Sequence, residues 1–86
     1  MERTILLVLV SQRTEHAGQV QRILTENGRI IRTRLGLHDA GDTACANSGL
    51  LVLELTGNAS DHVKLNEELS QLPGVTTRLV SLPVTD

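Results

Sequence analysis

Two short, almost unbroken apolar runs constrain this chain more than any other feature: ILLVLV at Ile5–Val10 and LLVLEL at Leu50–Leu55. Each is too short for a helix and rich in Leu and β-branched residues, so each reads as a buried strand. Neither alternates apolar with polar residues, as a strand with one face in water does. A chain of 86 residues can feed only one hydrophobic core. Both runs therefore belong at the centre of the same sheet.

The rest of the chain supplies what surrounds them. From about Thr14 to Asn27 the apolar residues Ala17, Val20, Ile23 and Leu24 recur at helical spacing. Thr14 suits the N-cap, and Gly28 suits a left-handed position beyond the C-terminus. Ile30 to Leu37 alternates, with Ile31, Thr33, Leu35 and Leu37 on one face and Ile30, Arg32 and Arg34 on the other. His38 to Ser48 reads as a polar loop. After the second apolar run, Asn58 suits the cap of a second helix, with Asp61 near its positive end. Leu65, Leu69 and Leu72 give that helix one apolar stripe, while Lys64, Glu67, Glu68 and Gln71 face water. Pro73-Gly74 ends it, and Val75 to Leu82 is a last strand stopped by Pro83.

The order is βαββαβ, which predicts an α+β ferredoxin-like sandwich over residues 1–86 as one domain: a four-stranded antiparallel sheet with two helices on one face. Strands one and three take the centre. Strands two and four, which carry Arg32, Arg34, Arg78 and Pro83, take the edges, where charge and proline discourage stray pairing. A hairpin centred near Thr43 would set Ile31 opposite Leu55 on the helix side and Arg32 opposite Glu54 on the other.

Two helices cover only one face of such a sheet. The apolar character of both sides of the central strands then leaves an association surface, so the chain is expected to be a homo-oligomer joined through the open sheet face. A charge placed at Val8 or Val52 is expected to break it.

Composition removes several function classes. There is no Phe, Tyr or Trp, so bases have no aromatic platform to stack on, and a net charge of −2 does not suit a phosphate-neutralising surface. Nucleic acid is therefore not an expected partner. No run approaches the roughly 20 apolar residues of a membrane span, and no membrane partner is expected. Cys45 is the only cysteine, so no intrachain disulfide forms; together with the poor signal-peptide character of the first run, this makes the cytoplasm the expected location. Serines and carboxylates lack nucleophile–base settings, so no catalytic residue is assigned. His38 and Cys45 share a loop, with Asp39 and Asp42 nearby, but two soft ligands do not close a metal site. No metal and no cofactor are expected.

A ligand site is expected at the junction of the first strand and first helix. The N-terminal end of a helix presents unpaired N–H groups that favour an anion. Gln12, Arg13 and Thr14 lie beside it, and Arg13 is able to hold a carboxylate bidentately. Gly18 removes a side chain just there. The bland reading of the same residues is that they cap the helix, turn the chain and let helix and sheet pack closely.

Two segments carry a resemblance. Ile23-Leu24-Thr25-Glu26-Asn27-Gly28-Arg29-Ile30-Ile31 with Arg34-Leu35-Gly36, and Lys64-Leu65-Asn66-Glu67-Glu68-Leu69-Ser70-Gln71-Leu72-Pro73-Gly74-Val75, resemble the putative iron-only hydrogenase system regulator family. The chain departs from it at Gly36-Leu37-His38, where the family carries Gly-aliphatic-Pro. That family is similar to ACT domains and to the C-terminal domain of nickel-responsive repressors. The repressors' His-x-His-x5-Cys arrangement is absent here. Those relatives share the ferredoxin-like fold and oligomerise, and many bind amino acids or metal at subunit interfaces, so the resemblance implies an ACT-like regulatory role without naming a chemistry. A small carboxylate or amino acid is the ligand expected at the junction site, on the strength of Arg13 and the helix end. A structural oligomerisation or partner-docking module without ligand is the alternative.

Overall fold

A computed structural model describes residues 1–11, 15–37 and 49–85 of the chain. Along it run β1 (Glu2–Val10), α1 (Ala17–Glu26), a one-turn 3-10 helix (Gly28–Ile30), β2 (Ile31–Leu37), β3 (Gly49–Leu55), α2 (Ala59–Ser70) and β4 (Val75–Pro83). The strands form one antiparallel sheet in the order β2-β3-β1-β4. This is the ferredoxin-like βαββαβ sandwich, with the two apolar runs at the centre and the arginine-bearing strands at the edges.

The core lies between the sheet and the two helices. From β1 it takes Leu6, Val8 and Val10, from β3 Leu53 and Leu55, from α1 Val20, Ile23 and Leu24, and from α2 Leu65 and Leu69, all buried. Leucine, valine and isoleucine alone fill it, as a chain without aromatics requires. Leu72 packs partly buried against the same cluster, which completes the expected stripe of α2.

Both ends of α1 differ from expectation. The helix starts at Ala17 with His16 in the N-cap position, not after Thr14, and the His16 Nδ1 is 2.8 Å from the Gln19 Oε1. At the other end Asn27 is the C-cap. Its backbone and side-chain N–H groups both donate to the Ile23 carbonyl, at 3.1 and 2.8 Å. That satisfies the helix terminus locally, so Gly28 is not needed in a left-handed conformation and instead opens the 3-10 turn. The positive-φ glycines among the described residues punctuate the second half: Gly49, φ +112°, opens β3, Gly57, φ +89°, precedes α2, and Gly74, φ +81°, turns the chain into β4.

The β2–β3 pairing holds the main correction. Ile31 lies opposite Leu55 as the hairpin argument predicts, but the next pair is Thr33 with Glu54, because a bulge at Arg32 adds one residue to β2. Arg32 therefore has no partner position across from Glu54. An extra residue reverses the facing of everything after it. Thr33, Leu35 and Leu37 move to the open side, while Arg34 turns to the helix side, where its guanidinium donates to the Gln21 side chain of α1.

Candidate functional site

The face of the sheet opposite the helices is the most distinctive surface of the molecule. Cross-strand register places the open-face residues in rows: Leu37, Leu50, Leu9 and Thr76; then Leu35, Val52, Leu7 and Arg78; then Thr33, Glu54, Ile5 and Val80; with Arg3 and Leu82 beyond. Leu9, Leu35, Leu37, Val80 and Leu82 are exposed, and Ile5, Leu7, Leu50 and Val52 are half-buried. Four strands at about 4.8 Å spacing and a depth of about 20 Å along each give a footprint on the order of 400 Å². The accessible area is larger, since side chains stand up from the sheet. A face of that size falls within the range of the largest patch on a typical monomer, a patch that is often functional.

Val8, expected as a probe of this face, is fully buried on the helix side, whereas Val52 does lie on the open side. Both sides of β1 are aliphatic, and the structure chooses Leu6, Val8 and Val10 for the core. Leu35 and Leu37, delivered by the bulge, make the open face more apolar than the sequence pattern implied.

Polar groups on this face are few and arranged. Arg3 donates to both carboxylate oxygens of Glu54, through Nε at 2.7 Å and Nη2 at 2.8 Å. Those hydrogen bonds hold the Glu54 carboxyl below its ordinary range; partial desolvation opposes the shift, and the charges of Arg3 and Arg32 add to it. Arg78 donates from Nη1 to the backbone carbonyl of Thr77 at 2.8 Å and stands next to Leu7 across the strands.

Of the residues expected to bind a ligand, Gln12, Arg13 and Thr14 lie outside the described residues, as do His38, Asp39, Asp42 and Cys45. Gly18 is described. It is exposed in the first turn of α1, and a Cβ added to it would meet nothing within 4 Å. Close packing of helix on sheet therefore does not account for this glycine.

An open groove of about 1140 Å³ lies at the other end of the sheet from that junction, lined among others by Arg3, Arg32, Glu54, Thr56, Gly57 and His62. His62 was legible in the sequence only as a stray imidazole. It is buried at the start of the α2 stripe, and its Nε2 lies 2.7 Å from the Thr56 carbonyl. A carbonyl only accepts, so Nε2 carries the proton and the ring ties α2 to the end of β3. Asp61, one residue before it, could not have revealed this; the i, i+3, i+7 spacing of His62, Leu65 and Leu69 does. Among the described residues no three His, Cys, Asp or Glu side chains cluster as metal ligands, and no helix is long and apolar enough to cross a membrane.

Neither a family model nor a curated protein sequence matches the chain. Among solved structures it is similar to an uncharacterized protein of Thermotoga maritima, at 25% identity and a TM-score of 0.78, over 96% of this chain and 100% of that one. It is also similar to a putative antibiotic biosynthesis monooxygenase of Deinococcus radiodurans, at 14% identity and a TM-score of 0.58, over 100% of this chain and 94% of that one. The second likeness speaks to the fold alone.

Proposed function

We propose that this chain is a non-catalytic, ACT-like regulatory domain that acts as a homo-oligomer through its open sheet face and senses a small carboxylate or amino acid at a subunit interface. The observation that carries the reading is the aliphatic face built by all four strands. The residues that resemble the iron-only hydrogenase system regulator family favour a regulatory role for it. A second copy is the natural occupant. An isologous pair meets the same patch with itself, and aliphatic rows can interdigitate about a twofold axis. Arginines on both edge strands, Arg32 and Arg34 on β2 and Arg78 on β4, disfavour edge-to-edge growth and leave the face as the way to associate.

Light scattering at micromolar concentration is expected to give a multiple of 9.3 kDa. A monomer that none of the compounds screened below brings together would overturn the proposal. A thermal-shift screen of amino acids and small carboxylates then separates the two forms of the reading. A specific rise in melting temperature supports the sensor. An oligomer that answers to none of them is the ligand-free docking module instead.

A further inference from the structure

The open face carries an unbalanced charge. Among the described residues its ionised side chains are Arg3, Glu54 and Arg78, with Arg32 near enough for its charge to act on Glu54, and Glu54 is already engaged on both oxygens by Arg3. Arg78 is left outside that pairing. Among the described residues that guanidinium has a single acceptor, the Thr77 carbonyl, and no carboxylate. Its cross-strand neighbour is Leu7, and Val80 and Thr76 flank it on the same side of β4. Covering this face with a second copy withdraws water from a cation set among aliphatic side chains, which is costly unless an anion comes with it.

The geometry points to Arg78 as the anchor for a short aliphatic carboxylate bound in the seam between two copies, so that assembly and ligand binding are linked. This rests on the oligomer proposed above and names the ligand class for it. The carboxylate takes the fork of Arg78, and the aliphatic tail lies on Leu7 and Val80. Among the described residues the open face offers an ammonium group no acidic side chain but Glu54, which Arg3 already holds. A carboxylate without an α-amino group is therefore preferred over the amino acid of the same skeleton.

Three probes share one skeleton: isocaproate, its uncharged amide isocaproamide, and leucine. Sedimentation equilibrium and thermal shift on the whole chain are expected to show isocaproate tightening the oligomer and raising the melting temperature. Isocaproamide should do neither, and leucine should need at least tenfold more ligand. Arg78→Gln should remain an oligomer and lose the isocaproate response by at least tenfold. Arg78→Leu, which removes the excess charge, should associate at least tenfold more tightly than the parent without ligand. An oligomer whose isocaproate response survives Arg78→Gln, or that shows no response at all, overturns the Arg78 site and leaves the oligomer standing. A chain that stays monomeric with and without isocaproate overturns both.

Discussion

Arg3 and Glu54, 51 residues apart in sequence, form a bidentate ion pair across β1 and β3 on the open face of the sheet, with the Glu54 side chain only 13% exposed and the Arg3 side chain 64%. Each is displaced from the row of the other, because Glu54 lies opposite Ile5 and Arg3 reaches it diagonally. The pair engages both Glu54 oxygens, and Arg78, one row along the face, has no carboxylate partner among the described residues.

The pair makes stability depend on pH in one direction. Glu54 is held below its ordinary carboxylate range, first by the Arg3 hydrogen bonds. Its contribution is fully present above the unfolded carboxylate value and is lost as pH falls through the lower folded value. Arg3→Gln should therefore move the acid-unfolding midpoint, followed by circular dichroism, to higher pH. An unchanged midpoint would mean that the pair is too solvated to matter.

Val52 and Val8 differ by the side of the sheet they face, and a charge should separate them. Val52→Glu is expected to lower the mass seen by light scattering toward 9.3 kDa with the circular dichroism spectrum intact. Val8→Glu puts a carboxylate into the core, where Val8 is fully buried, and should unfold the chain. If both variants stay folded and associated, the open face is not the interface.

Leu65 is fully buried in the α2 stripe. Truncation to alanine removes its packing and leaves a cavity in the buried cluster that it shares with Leu69. A loss of about 2–5 kcal/mol in urea denaturation is expected. A loss below about 1 kcal/mol would place α2 outside the cooperative core.

Glycines 18 and 57 should respond oppositely to alanine. At Gly18 the new methyl meets open space inside a helix, so Gly18→Ala should stabilise by about 0.5–1 kcal/mol. At Gly57 the backbone has φ +89° and the methyl would meet the Ile30 Cγ2 at 3.4 Å, so Gly57→Ala should cost about 1–2 kcal/mol. Thermal melts of the two variants check both signs. If Gly18→Ala also removes a carboxylate-induced shift, the space at the start of α1 belongs to a ligand.

The amino-acid sequence by itself determined the order of elements, the central place of the two apolar runs, the edge place of the arginine-bearing strands, and the Ile31–Leu55 contact that closes the hairpin at its base. These follow from hydrophobic period and connection length, which are local quantities. Which side of β1 faces the helices is not local. Leu6 and Val8 are as apolar as Leu7 and Leu9, so alternation tells which residues share a side but not which side is covered. Only the docking of α1 and α2 decided it. The bulge at Arg32 is of the same kind. It arises where the 3-10 turn, held by the Thr56 N–H to Ile30 carbonyl bond at 2.7 Å, must join a sheet whose register is already set by β3. One inserted residue then carried Leu35 and Leu37 outward and Arg34 inward, so the composition of the open face, and with it the candidate site, was settled by tertiary contacts that no sequence period records.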